Sequence, residues 1–226
     1  MLAGTTLAGR LPISDAATQR FGVYLNDATG AKMDMHLDVK VGAVQVICRK
    51  DLRPTYGVEV TLTNTAPADA ATSLPEYVTG GGYFGVTPGN VQTIVSVYGP
   101  KSMQNLGVTR DGKKIGYYPT TDTGYPVSSL TVELAPGDST TITYGWLGAK
   151  PFSGDIVTQM TPVIFSQMLN KAILTITSNV FNVADATVHD AMLSLDDAHR
   201  ISRKTFTAVT TESMRKTWGE EAHEHR

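Results

Sequence analysis

The stretch SLTVELAPGDSTTITYGWL, residues 129–147, decides the fold class of this chain. Apolar residues occupy every second position on both sides of its centre: Leu130, Val132, Leu134, Ile142, Tyr144 and Trp146. A period of two is typical of a β-strand with one buried face. The centre, Pro136-Gly137-Asp138, consists of residues that favour turns. The stretch therefore predicts two half-buried strands joined as a β-hairpin.

The same alternation extends back to about residue 31. It is clearest at residues 32–41, 56–63 and 91–97, with shorter candidate strands at 21–25, 44–48, 106–108 and 115–117. In the first segment the predicted buried face carries Met33, Met35, Leu37, Val39 and Val41. Asp111-Gly112 predicts a type I′ hairpin turn, because both central positions of that turn need positive φ angles. Many short strands separated by turns predict an all-β sandwich, and we favour an Ig-like or fibronectin-like Greek key.

The pattern of the chain changes after Pro151. We expect a lead-in over residues 1–20, a β-sandwich domain over 21–165 and a partly helical tail over 166–226. Residues 169–176 fit a strand or a short helix. Further on, apolar residues from Val188 to Ile201 follow helical spacing after a candidate N-cap, Asp185. This spacing predicts a C-terminal α-helix over about 184–205.

Composition excludes several classes of protein. The 226 residues carry a formal net charge of −2. The chain therefore lacks the excess of basic residues typical of nucleic-acid-binding proteins, and no nucleic acid partner is predicted. No apolar run approaches the roughly 18 residues of a membrane-spanning helix, and the single cysteine, Cys48, cannot form an internal disulfide. The first residues lack the basic and apolar regions of a signal peptide. We therefore expect a cytoplasmic protein if the chain is complete, or part of a protein anchored upstream.

Residues 66–90 form the longest segment without strand periodicity, and long segments of this kind are often functional. Its aromatic residues Tyr77, Tyr83 and Phe84 are the candidate binding residues. The run Gly80-Gly81-Gly82 predicts a turn that is flexible or rich in positive φ angles, since the Lys-Ser/Thr pair of a phosphate-binding loop is missing. Asp69 and Glu76 are the carboxylates of this segment that could act as acid or base.

Metal-binding and catalytic patterns are weak. Asp34, His36 and Asp38 alternate along a predicted strand and could share a face, but Lys40 continues that row. We interpret the row as a solvated surface, and we interpret His223 and His225 as part of a solvated terminal segment. The sequence has no GxSxG, HExxH or CxxC motif, so no catalytic residue, metal site or cofactor is predicted.

Several stretches resemble one family of proteins. They are FGVYLND at 21–27, TGAKMD at 29–34, VTLTNTAPADA at 60–70, LPEYVTGGG at 74–82, VYGP at 97–100 and LAPG at 134–137. These stretches are similar to the C-terminal region of large actinobacterial cell-envelope proteins that are catalogued as a domain of unknown function, family four thousand and twelve. The resemblance covers about residues 1–165. It implies an extracytoplasmic β-domain that follows an N-terminal membrane helix, and it implies no catalytic residue.

Three functional hypotheses follow from the sequence. The first is a non-catalytic module of a cell-envelope protein, which acts as a scaffold or contacts wall polymer or another envelope protein through Tyr77, Tyr83 and Phe84. The second is an enzyme of unrecognised type that uses Asp69 or Glu76, with His36 in reach. The third is an assembly element whose tail helix pairs subunits through an apolar stripe that includes Val188, Met192 and Leu195. The sequence leaves the oligomeric state open.

Overall fold

The computed structural model describes residues 11–46, 51–161 and 165–173. Eleven strands in these ranges form two sheets, which confirms the prediction of an all-β sandwich. No helix in these ranges has the length and apolar character needed to cross a membrane. The predicted helix over 184–205, Cys48, His223 and His225 lie outside the described residues.

The first sheet has five strands in the order β10-β1-β4-β8-β7. Their bounds are β1 Thr18–Asp27, β4 Val91–Tyr98, β7 Tyr118–Asp122, β8 Tyr125–Leu134 and β10 Asp155–Met160. Strand β10 runs parallel to β1, and the other neighbours in this sheet are antiparallel.

The second sheet has six strands in the order β11-β2-β3-β9-β5-β6. Their bounds are β2 Leu37–Val46, β3 Thr55–Asn64, β5 Gln104–Arg110, β6 Lys113–Ile115, β9 Ser139–Leu147 and β11 Phe165–Ile173. Strand β11 runs parallel to β2, whereas the other pairs are antiparallel. Each sheet thus ends, at one edge, on a parallel strand from the last part of the described chain.

The period-two pattern correctly predicts which residues are buried. On β3 the side chains of Tyr56, Val58, Val60 and Leu62 are fully buried, and the intervening residues Glu59 and Thr61 are half-buried. Strands β4 and β9 follow the same rule, with Val95, Val97, Ile142, Tyr144 and Trp146 at the interface between the sheets. The alternation therefore directs one face of each strand into a shared core.

The prediction that residues 129–147 form a hairpin is wrong. Strands β8 and β9 lie in different sheets: β8 pairs with β4 and β7, and β9 pairs with β3 and β5. The turn between them crosses from one sheet to the other, so the apolar faces of the two strands face each other across the core. By contrast, Asp111 and Gly112 join the paired strands β5 and β6, and both have positive φ angles, 49° and 75°, which confirms that hairpin.

The predicted strand over residues 32–41 begins later than expected. Residues Met33–His36 form a 3₁₀ turn, β2 starts at Leu37, and Met35 is 45% exposed instead of buried. The reason lies in the partner strand, because Leu37 pairs with Asn64, the last residue of β3. Among the described residues, the ladder between β2 and β3 ends at this pair, so the backbone upstream of Leu37 has no strand residue of β3 opposite it.

Large aromatic side chains fill the core at the end of the sandwich where β3 begins. The ring centroid of Phe21 lies 5.5 Å from that of Tyr56 and 6.3 Å from that of Trp146. Gly99, just after β4, lies directly over the indole of Trp146. This close approach is possible because residue 99 has no side chain.

The outer face of the five-stranded sheet carries a row of tyrosines. The rings of Tyr24 and Tyr98 meet edge to face at 5.1 Å, and Tyr125 continues the row at 6.4 Å from Tyr98. Partial burial in this row raises the pKa of the Tyr24 hydroxyl to about 12, with the neighbouring tyrosines adding to the effect.

Replacing Gly99 with Ala should destabilise the fold. The new Cβ would lie 2.6 Å from two carbons of the buried Trp146 ring, which has little room to move. We expect the free energy of unfolding in urea to fall by about 1–3 kcal/mol. Gly116→Ala is the control, because no atom lies within 4 Å of a Cβ at that position; it should change stability by less than about 0.5 kcal/mol. Equal effects of the two substitutions would contradict the packing argument.

Alkaline pH should weaken the fold through Tyr24. Because its pKa is raised from 10.0 to about 12, the folded state keeps the phenol proton where the unfolded chain has lost it. The contribution of protonated Tyr24 to the free energy of unfolding is complete below pH 10 and is lost as the pH rises to about 12. We expect the free energy of unfolding of the unmodified chain to fall more steeply over this range than that of Tyr24→Phe. Parallel curves for the two proteins would show that Tyr24 titrates normally.

Candidate functional site

The segment over residues 66–90 lies at the end of the sandwich where β3 ends and β4 begins, which we call the loop end. It contains three short helical turns: α1 Ala70–Ser73, α2 Glu76–Thr79 and a 3₁₀ turn at Gly80–Gly82. The side chains of Ala70, Val78 and Thr79 are buried, and the carbonyl of Val78 accepts a hydrogen bond from the backbone of Lys32 at 2.8 Å. The segment is thus packed onto the sandwich instead of projecting from it.

Asn64 fixes the start of this segment. Its fully buried side chain donates to the carbonyls of Gly89 and Leu134 and accepts from the backbone of Ala66, at 3.0–3.1 Å. Its backbone also exchanges hydrogen bonds with the β8–β9 turn, through Gly137 and Asp138. One amide therefore connects the two ends of the segment to the turn that crosses between the sheets.

Phe84 supports the segment from a second side. Its ring lies so close to the backbones of Gly30 and Gly80 that a Cβ at either position would lie 3.0 Å or less from a ring carbon. Gly80, Gly81 and Gly82 all have positive φ angles, between 53° and 82°, which confirms the predicted turn. Phe84 is 51% exposed, so one part of the ring packs and the other faces solvent.

Tyr77 and Tyr83 are the most exposed aromatic side chains described, at 75% and 82%. Tyr77 projects from α2, whose following residues Val78 and Thr79 are buried. Tyr83 follows the glycine turn, and its ring edge passes close to Gly81. Two large rings therefore face solvent from a backbone that is fixed beneath them.

The structure does not bring together Asp69, Glu76 and His36, the three residues of the enzyme hypothesis. Asp69 accepts a hydrogen bond from the hydroxyl of Ser73 within its own helical turn. The side chain of Glu76 lies against Gly81, and His36 contributes its backbone carbonyl to Thr65. Within the described ranges, no hydrogen bond connects Asp69, Glu76 and His36.

The row of Asp34, His36 and Asp38 is not a strand face. Asp34 and His36 belong to the 3₁₀ turn, whereas Asp38 lies on β2, so the period of two does not relate them. Among the residues that the structure describes, no three His, Cys, Asp or Glu side chains are placed to hold one metal ion.

The sequence analysis missed a groove of about 880 Å³ at the opposite end of the sandwich, which we call the groove end. It is lined by residues 13–16 and 19, residues 100–102, Tyr125 and residues 150–154. The lining includes two cations, Lys101 and Lys150, and two aromatic residues, Tyr125 and Phe152. A sequence clue exists, because each lysine adjoins a proline in a connection between strands, but nothing local shows that the two connections meet.

No family model and no curated protein matches this chain. Among solved structures, a candidate nutrient-binding protein of Legionella pneumophila is 9% identical, with a TM-score of 0.35; the similarity covers 60% of this chain and 45% of that protein. An M1 zinc metallopeptidase variant of Deinococcus radiodurans bound to a Tyr-Ser-Ala substrate is 13% identical, with a TM-score of 0.26 and coverage of 50% and 20%. This chain thus spans less than half the length of either protein. Such similarity is too low to support a shared fold or function.

Removing the Asn64 amide should loosen the loop end. In Asn64→Ala the Gly89 and Leu134 carbonyls and the Ala66 amide lose their side-chain partner. We expect the free energy of unfolding to fall by roughly 2–4 kcal/mol, with faster proteolysis within residues 66–90. The exposed Asn26 provides the control, and Asn26→Ala should stay within about 0.5 kcal/mol. Unchanged stability of the Asn64 variant would show that these hydrogen bonds do not anchor the segment.

Proposed function

We propose that this chain is a non-catalytic β-sandwich module of a bacterial cell-envelope protein, which contacts wall polymer or another envelope protein at the loop end. The exposed pair of Tyr77 and Tyr83 on a fixed backbone is the observation that carries this proposal. Exposed aromatic rings are costly to leave in water and are common anchors of interfaces. They also lose little conformational freedom on binding, because a tyrosine side chain has two rotatable bonds.

The low charge of the segment over residues 66–90 favours a neutral, ring-bearing ligand. Residues 66–90 contain two charged residues, Asp69 and Glu76, and both are acidic. Apart from its aromatic residues, the other exposed residues of this segment are small and neutral. An aromatic ring surrounded by such residues can stack on the apolar face of a sugar, so wall polysaccharide is the preferred ligand of this surface.

The resemblance to actinobacterial envelope proteins supports the same region. The stretches at 60–70, 74–82 and 134–137 lie at the loop end, and the stretch at 29–34 reaches it from β1. Stretches that are far apart in sequence thus meet where Tyr77 and Tyr83 are exposed. Under this proposal the module is extracytoplasmic and follows a membrane anchor in a longer protein.

The finer fold assignment is an Ig-like Greek key. Strand order supports it: β4 and β8 are neighbours in one sheet, β5 and β9 are neighbours in the other, and the chain crosses between the sheets from β4 to β5 and from β8 to β9. Such interlocked pairs are characteristic of Greek-key sandwiches. In this assignment the β2–β3 hairpin occupies the position beside β9 that a last strand takes in immunoglobulin domains.

The proposal is tested by co-sedimentation of the chain with isolated actinobacterial cell wall. We expect retention that persists at about 1 M salt, where charge interactions are screened. Tyr77→Ser/Tyr83→Ser should weaken retention by about tenfold, because two stacking contacts are lost. Phe84 is left in place, since it packs against Gly30 and Gly80 and its loss would disturb the fold.

A matched control removes two exposed apolar side chains elsewhere. Tyr118 and Leu106 are 70% and 53% exposed on β7 and β5, and Tyr118→Ser/Leu106→Ser should bind like the unmodified chain. Equal loss in the two double variants would mean that general stickiness causes retention. If the folded, unmodified chain is not retained, wall binding is refuted. The remaining hypothesis is then contact with another envelope protein.

A further inference from the structure

The groove at the other end of the sandwich has walls from parts of the chain that are far apart in sequence. One wall is the segment before β1, a second is the β4–β5 turn with Tyr125, and a third is the β9–β10 connection. Its volume of about 880 Å³ is near the upper end of the range for small-ligand pockets. The walls are tied to the sandwich, since the backbone of Asp155 donates to Ala17 and the buried amide of Gln45 donates to the carbonyl of Phe152, both at 2.8 Å.

Lys101 is held in position at the groove. Its ammonium nitrogen lies 4.8 Å from the centre of the Tyr125 ring, and its carbon chain passes close to Gly124. A cation over the face of an aromatic ring is attracted by the ring's quadrupole. Lys101 is exposed, and this contact places its ammonium group beside the groove.

The acidic residue of the groove does not neutralise the two lysines. The carboxylate of Asp15 accepts a hydrogen bond from Arg20 at 2.7 Å and further bonds from the backbones of Ala17 and Thr18 at 2.8 Å. Within the described ranges neither Lys101 nor Lys150 has an ion-pair partner. With Asp15 and Arg20 paired, the lysines leave the groove with an excess of positive charge.

The uncharged residues of the groove suit a polyhydroxy ligand. The hydroxyls of Ser102 and Ser153 and the amide of Gln19 can donate and accept hydrogen bonds. Phe152 is half-buried and offers an apolar surface beside them. A ring with hydroxyl groups and an apolar face matches this mixture, whereas a purely ionic ligand would use the lysines alone.

We propose that this groove binds an acidic oligosaccharide, with Lys101 and Lys150 pairing with its anionic groups and Phe152 contacting a sugar ring. The site is separate from the surface of Tyr77 and Tyr83, because the two lie at opposite ends of the same strands. Lysine contributes a point charge without the planar fork of arginine. The groove therefore selects for charge spacing and a sugar body more than for one type of anion.

The test is isothermal titration of the full chain with trigalacturonic acid, maltotriose and tripolyphosphate. We expect trigalacturonic acid to bind more tightly than either other ligand, since it alone combines sugar rings with charge. Lys101→Gln/Lys150→Gln should weaken that binding by about tenfold at low salt. The effect should shrink at about 0.5 M salt, where exposed charges are screened.

Lys32→Gln/Lys113→Gln is the matched control, because it removes the same charge from exposed lysines near the loop end. This variant and Tyr77→Ser/Tyr83→Ser should bind trigalacturonic acid like the unmodified chain. Equal weakening in the two lysine double variants would show a general charge effect and overturn the site. Equal affinity for tripolyphosphate, or no binding of trigalacturonic acid by the folded chain, would overturn the assignment of the ligand.

Discussion

Burial of large aromatic side chains between the two sheets is the interaction on which this structure depends. Trp146, Tyr56 and Phe21 come from different strands and meet in the core at the groove end. Each of these side chains buries far more apolar surface than a valine, so their contact contributes much of the stability at this end. The position of Trp146 also restricts the residue that follows β4, because the backbone at Gly99 passes directly over the indole and leaves no room for a side chain.

The two ends of the sandwich expose different side chains because their connections pack in different ways. At the loop end, one buried amide, Asn64, satisfies three backbone groups: two from the segment over residues 66–90 and one from the end of β8. These hydrogen bonds allow a long segment to pack closely. That packing leaves Tyr77 and Tyr83 outside. At the groove end, hydrogen bonds at Ala17 and Phe152 tie two of the connections to the sandwich. The connections line a groove whose walls include Lys101 and Lys150.

The sequence predicts which side of each strand is buried but not which strands are neighbours. Alternation in residues 129–147 is the same whether two strands pair in one sheet or face each other across a core, and here they face each other. The predicted start of β2 was wrong for a related reason. The alternating pattern already includes Met33 and Met35, whereas the pairing of β2 with β3 begins only at Leu37, opposite the last residue of β3. The aromatic residues of the loop end could be singled out because they lie in one segment, and the structure shows Tyr77 and Tyr83 exposed; their role in binding stays a prediction. The groove could not, because its lysines are brought together by the crossing of strands that are far apart in sequence.

Strand β3 connects the two candidate surfaces. Its first inward side chain, Tyr56, packs against Phe21 beneath the groove end, and its last residue, Asn64, anchors the loop end. Between them lie Val58, Val60 and Leu62, all fully buried and paired on both sides by β2 and β9. A strand with neighbours on both edges and a packed inner face has little freedom to bend or slide. Both surfaces are therefore pre-formed on one rigid support, so binding at either end would cost little reorganisation of the sandwich and would leave the other end unchanged.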